Sequence, residues 1–256
     1  MTSFNLDHAL SGHVFAYLLV FTRLGTMLML FPGIGEAYVP SRVRMMFAMA
    51  MCFLLVGPLL PRLPSLPAQM PDLATLLVVE AAIGIFFGTL LRLVVSSLEA
   101  TGSIIGLQTG LSNATALNPA LATQSPLPSA FLSVAGVTLL FVTGLDHLLM
   151  RSLVSIYDVF PPGEIPLLGD MIQAIIQAVN TSFVLGVQMA MPFFVMGLLM
   201  YVSMGIMQKL LPQVQLFLVT MPAQIWGGLV LLMFTITGIL SVWLRYMDDT
   251  LKPFVR

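Results

Sequence analysis

Apolar residues fall in six blocks along the chain: Val14–Phe31, Met45–Leu60, Leu73–Val95, Ala130–Met150, Phe183–Tyr201 and Phe217–Leu244. Leu, Met, Phe, Ala and Val fill them without alternating polar positions. A membrane β-strand alternates its two faces along the chain, so the pattern excludes a membrane β-barrel and predicts helices. A helix needs about 20 apolar residues to cross a hydrocarbon core of about 30 Å. Four blocks reach that length, the block at Met45 is short, and Arg23 interrupts the first. The expected fold is all-α: an integral membrane protein of about six long hydrophobic helices, broken by proline and glycine.

Composition narrows the function classes. Of 256 residues, 58% are hydrophobic and 8% charged, and the mean hydropathy is +1.00. Soluble domains carry roughly 25% charged residues, so this chain lacks the charge to cover a water-facing surface. A soluble enzyme, a disordered protein and a nucleic-acid binder are excluded as classes. The net charge of −1 points to no partner, and the one cysteine, Cys52, can form no internal disulfide. Met1–His13 holds no Lys or Arg. A signal peptide needs a basic n-region, so the first block is expected to be retained. With six simple spans, Arg62, Arg151, Arg245, Lys252 and Arg256 collect on one side, and Arg42, Arg44 and Lys209 on the other. The positive-inside rule then favours cytoplasmic termini, by a margin of only two residues.

Proline and glycine punctuate the blocks. Pro32 and Gly33 end the first, and Pro58, Pro61, Pro64, Pro67 and Pro71 crowd the second connection. That spacing predicts an extended, semi-rigid linker. Pro192, Pro212 and Pro222 fall in the C-terminal third, where each is expected to break or kink a helix.

Arg23, Glu80, Arg92, Glu99 and Asp146 lie inside or at the edges of apolar blocks. Each charge costs roughly 2.5–3.5 kcal/mol at a helix centre on insertion scales. Arg23, Glu80, Arg92, Glu99 and Lys209 are therefore expected in intrachain or intersubunit contacts rather than against lipid. Glu80, Gly84, Gly88 and Arg92 recur every four residues. The two glycines admit close approach of a neighbouring backbone, with a charge at either end. A packed interface and an ion path are the two readings of that stripe.

A second glycine series, Gly102, Gly106 and Gly110, opens the segment Ser96–Ser129, which has no Lys or Arg and no charge after Glu99. Ser, Thr, Asn and Gln crowd it, with Pro119, Pro126 and Pro128 near its end. It is too polar to face lipid and too poor in charge for a solvated loop. A segment of this length and character suits a water-lined constriction, or a loop packed inside other protein.

Methionines cluster at Met45, Met46, Met49 and Met51, and again from Met189 to Met207. They suit adaptable packing, or a soft seal around variable shapes. No HExxH, phosphate-loop or GxSxG motif occurs. His8, His13 and His147 are scattered, so no metal or cofactor is expected. Asp146 and His147 are adjacent, and on a helix their side chains should point about 100° apart, which argues against a dyad. No inverted repeat of the secondary-transporter kind is evident.

Four stretches, in order, resemble one family: RLGTMLMLFPGIGEAYVPSRVR at Arg23–Arg44, GLQTGLSNATALNPALATQSP at Gly106–Pro126, LFVTGLDHLLMRSLVSIYDVFPPGE at Leu140–Glu164, and GLLMYVSMGIMQKLLPQVQLFLVTMPAQIWGG at Gly197–Gly228. The chain resembles the FliR/SctT family of type III export-gate proteins end to end. Gln215 departs from the smaller Asn or Ser expected there. The resemblance implies one export-gate domain over residues 1–256, part FliP-like and part FliQ-like. It implies a non-enzymatic subunit of a closed channel for unfolded flagellar proteins, in the bacterial inner membrane at the flagellar basal body. Implied partners are FliP-like and FliQ-like subunits and an FlhB-like switch protein. The segment 106–126, with Gly106, Gln108, Gly110, Asn113, Asn118 and Pro119, corresponds to a plug in the lumen. A stand-alone small-solute or ion transporter is the alternative from another class.

Overall fold

The computed structural model describes residues 6–36, 38–67, 69–112, 126–210 and 216–254, and among them there is no strand. The helices are α1 (Leu6–Met29), α2 (Ser41–Leu59), α3 (Met70–Gln108), α4 (Leu127–Val142), α5 (Leu145–Val159), α6 (Leu168–Leu210) and α7 (Leu216–Leu251). Short 3₁₀ turns follow α2 at Leu60–Arg62 and α7 at Lys252–Phe254. Windows in α1, α2, α3, α6 and α7 are long and apolar enough to cross a membrane, and α4 and α5 qualify only as a pair. The all-α membrane fold expected from the apolar blocks is the fold observed.

Several boundaries differ from the block pattern. α3 runs to Gln108, through thirteen residues of the polar segment that the pattern leaves outside a span. Its hydroxyl groups explain this, because they bond back to the helix's own carbonyls. Ser97 Oγ donates to Val94 O at 2.7 Å, Thr101 Oγ1 to Ser97 O at 2.7 Å, and Ser103 Oγ to Glu99 O at 2.8 Å. The fourth block is not one helix. It stops at Val142 and restarts at Leu145, with Gly144 between them at φ 76°. That left-handed conformation suits glycine and ends helical propagation.

The prolines divide by position. Pro32 lies in the turns after α1, Pro64 and Pro67 in irregular chain, and Pro58 inside α2. The expected breaks at Pro192 and Pro222 do not occur, since α6 and α7 continue through them. A proline removes one backbone bond of a helix, and long apolar helices carry that loss where neighbours support them. Pro212 lies outside the described residues.

The chain divides into two compact units. The first holds Met1–Leu93, Gly144–Ala178 and Asp249–Arg256. Within it, contacts between α1 and α3 rise together along both helices, so the two run parallel. Tyr17 OH donates to Met49 O at 3.1 Å, linking α1 to α2. Phe86, Leu90 and Met171 form a small apolar cluster with Phe160, Ile175 and Phe254 against it. Beside it opens a cavity of about 470 Å³, with Glu164 and Asp170 among its lining residues.

The second unit holds Val94–Thr143 and Val179–Asp248. The C-terminal part of α3 meets three helices there. Gly102 lies against the backbone of Ser129 on α4, and Ser129 Oγ donates to Glu99 O at 2.9 Å. A Cβ at Gly186 of α6 would lie 3.1 Å from Ala100 Cβ, and Thr101 Oγ1 donates to Gly186 O at 3.2 Å. Trp243 of α7 is fully buried, and its Nε1 donates to Val94 O at 2.9 Å. The glycines let backbones approach closely, which is how helices associate where apolar burial alone does not select a partner.

Candidate functional site

Two polar constellations stand out, one in each unit. In the first, Arg23 and Glu80 are both buried. Arg23 Nε donates to Glu80 Oε2, and its second guanidinium nitrogen, Nη2, donates to Glu80 Oε1 at 3.0 Å. This two-point fork is the strong form of the Arg–carboxylate pair. The remaining Nη1 donates to Phe160 O at 2.8 Å, and the guanidinium carbon sits 4.4 Å from the centre of the Tyr157 ring. One side chain thus joins α1, α3 and the end of α5.

The stripe on α3 continues the same seam. Gly84 lies against Thr26 Oγ1 and the carbonyl of Arg23, with no space for a Cβ. At Gly88 a Cβ would lie 2.8 Å from Leu30 Cβ and 3.1 Å from Met27 O. Arg92 then pairs with Glu36 at 2.5 Å, in a less buried setting. The seam carries a charge pair at each end and glycine contacts between. That arrangement clamps neighbouring segments together, as the packed-interface reading of the stripe expects.

The second constellation surrounds the end of α3. Gln224 of α7 donates Nε2 to Gln108 O at 2.6 Å. Gly197 of α6 lies under the Gln108 side chain, and Gly228 of α7 lies under the Thr109 methyl. Gly110 takes φ 74° and turns the chain out of the helix. Ser112 N donates to Gly106 O at 3.0 Å, and a Cβ at Gly106 would lie 3.2 Å from Pro126 Cβ. Among the described residues no group of three or more His, Cys, Asp or Glu could hold a metal ion. Neither constellation presents a nucleophile with an adjacent base.

A family model described as bacterial export proteins, family 1, matches residues 14–250. The chain belongs to that family. Its relatives include the flagellar biosynthetic protein FliR of Caulobacter vibrioides, 35% identical over 246 residues, covering 96% of this chain and 98% of the relative. FliR of Escherichia coli K12 is 30% identical over 78% of this chain and 76% of its own length. FliR of Aquifex aeolicus is 26% identical over 93% and 91%. The resemblance read from the four stretches is therefore a kinship with the FliR proteins.

In this export-family chain the structure brings together some of the singled-out residues. Arg23 meets Glu80, and Gly84 and Gly88 lie on the same seam as Arg92. Glu99 is partly buried beside the start of α4, and Lys209 is exposed near the end of α6. Gly106, Gln108 and Gly110 cluster at the end of α3. Asn113, Asn118 and Pro119 lie outside the described residues. One geometric expectation fails: His147 Nδ1 and Asp146 Oδ1 are 3.1 Å apart. Rotation about the side-chain bonds closes the 100° separation at the exposed first turn of α5.

Sequence reasoning missed two partners. Glu36 is one, although Arg23 and Glu36 are 13 residues apart and Glu80 and Arg92 are 12 apart with the signs reversed. Matched spacing of opposite charges is a signal for parallel pairing. Gln224 is the other, an amide in an apolar stretch four residues before Gly228.

Proposed function

We propose that this chain is a non-enzymatic subunit of the flagellar type III protein export gate, contributing to a closed channel through which unfolded flagellar proteins leave the cell. It works in the bacterial inner membrane at the flagellar basal body, beside FliP-like and FliQ-like subunits and an FlhB-like switch protein. The near full-length match to a FliR protein carries the reading. Surface chemistry supports it. Within the chain only 17% of the α2 window and 11% of the α7 window is buried, so lipid or partner helices must cover the remainder.

Residues 1–256 act as one export-gate domain, and the segment 106–126 acts as its plug. Gly106, Gln108 and Gly110 form the described stem of that segment, which leaves α3 with amides and hydroxyls but no charge. A polar, uncharged plug is compatible with a passing chain of any sequence, because it offers no fixed charge to trap one.

Co-purification tests the reading. Expressed with FliP-like and FliQ-like subunits, the chain should be recovered in one stable complex, and expressed alone it should be poorly recovered. A stable, solitary particle that moves a small solute across vesicle membranes would instead support a stand-alone transporter.

A further inference from the structure

We propose that the loop joining α5 to α6 is a docking surface for a basic segment of a partner protein, one in which Lys or Arg flanks large apolar side chains. The proposal names a surface and a partner chemistry that the export-gate reading leaves open, and it stands on the chemistry of the loop itself.

The loop presents apolar side chains between two carboxylates. Glu164 and Asp170 are both exposed, and between them Ile165, Leu167 and Leu168 are 73%, 75% and 60% exposed. The same loop walls the cavity of about 470 Å³, in which Glu164 and Asp170 stand beside buried Phe86 and Met171. Two smaller cavities adjoin it. One, of about 260 Å³, shares Val159 and Phe254 with it and is lined by Asp158. The other, of about 250 Å³, shares Ile165 and is lined by Asp72. Four of the chain's 11 acidic residues therefore line adjoining cavities, and among the described residues no Lys or Arg lines any of the three. Exposed apolar side chains gathered within a polar rim are the mark of an interaction site.

The surface is built before anything binds. Phe160 O accepts from Arg23 Nη1 at 2.8 Å, and the Gly163 N–H donates to the Glu80 carboxylate, so the buried pair anchors the loop from behind. Phe86 and Phe160 meet edge to face at 6.0 Å between ring centres. Pro161, Pro162 and Pro166 fix three backbone angles of the loop. A surface already ordered gives up less conformational freedom on docking.

Charge selects the occupant. A lipid surface would accept Ile165 and Leu167, but it would set anionic headgroups against Glu164 and Asp170. A neutral or acidic protein segment would strip water from the two carboxylates and return nothing. A basic segment with apolar side chains answers both demands. Its apolar groups fill the cavity, and its cations meet the carboxylates at the rim.

The test uses the full chain in its own cells, with Ile165 replaced by the photo-cross-linker p-benzoylphenylalanine. Mass spectrometry locates the linked residue, and yield is counted per membrane-inserted chain. The expected product joins Ile165 to a segment of another protein in which Lys or Arg adjoins the linked residue. Glu164→Gln with Asp170→Asn should lower the yield roughly fivefold, the effect of two partly exposed ion pairs. Glu164→Lys with Asp170→Lys should abolish it, and reversing the partner's cations to Glu should restore it. If the double lysine variant does not accumulate, the neutral variant, which keeps side-chain size, decides. Cross-links to lipid, to a segment without basic residues or to the chain's own C-terminal residues overturn the proposal. So do the absence of any cross-link and a yield unchanged in the neutral variant.

Discussion

The Arg23 guanidinium and the Glu80 carboxylate, 57 residues apart in sequence, meet as a two-point pair with both side chains buried. Removing one partner of such a pair costs about 3–5 kcal/mol, because the other is left as an uncompensated buried charge. Arg23→Met and Glu80→Gln should each sharply lower the yield of folded protein and its melting temperature in detergent. The double variant Arg23→Met with Glu80→Met should recover part of the loss, since it leaves no lone charge. Equal instability of single and double variants would show that the pair is not the source of the effect.

The two seam glycines should respond unequally to a methyl group. At Gly84 the obstacle includes the backbone carbonyl of Arg23, which cannot move without shifting α1. At Gly88 the overlap is smaller, because a Cβ would lie 2.8 Å from Leu30 Cβ and 3.1 Å from Met27 O. Overpacking costs typically about 1–3 kcal/mol, and Gly84→Ala should fall at the high end with Gly88→Ala below it. Gly84→Leu should abolish assembly with partner subunits. Thermal melts of the alanine variants and complex yield of the leucine variant measure both effects.

The same seam shows what was legible in the sequence. Glu80, Gly84, Gly88 and Arg92 repeat at helical spacing, so their shared face follows from period alone. Their partners are not local. Arg23 announced itself as a charge in an apolar block, whereas Glu36 lies in a Pro/Gly-rich connection where a carboxylate is unremarkable. The end of α3 was hidden for a different reason. Residues 96–108 look polar by composition, but their hydroxyls are satisfied by the helix they belong to. The break at Gly144 was hidden because the flanking residues are apolar on both sides, so a hydropathy window runs across it. Gln224 required the fold, since its acceptor lies 116 residues away.

Arg92 and Glu36 provide a contrast with the buried pair. Their side chains are 39% and 16% exposed. Partly solvated pairs contribute about 0–1 kcal/mol when exposed, rising with burial. Arg92→Met should therefore lower stability less than Arg23→Met does, and its effect should shrink at high salt as screening increases. Melting temperatures at low and high ionic strength check this. A salt-independent loss as large as that of Arg23→Met would contradict it.

The two tryptophans sit in contrasting environments. Trp243 is fully buried and donates Nε1 to Val94 O, while Trp226 is 72% exposed. Trp243→Phe removes one of two side-chain donors to Val94 O, the other being Ser97 Oγ, a net loss of about 0.5–1.5 kcal/mol, and should lower the melting temperature. Trp226→Phe should not change the melting temperature of the isolated chain, because little of its ring is covered. Its fluorescence decides what covers α7 in the assembly. In a Trp243→Phe background, brominated lipid should quench Trp226 strongly when the chain is reconstituted alone. If partner helices cover this face, quenching should fall steeply once the FliP-like and FliQ-like subunits are present. Quenching that persists undiminished in the full complex would assign the Trp226 face of α7 to lipid.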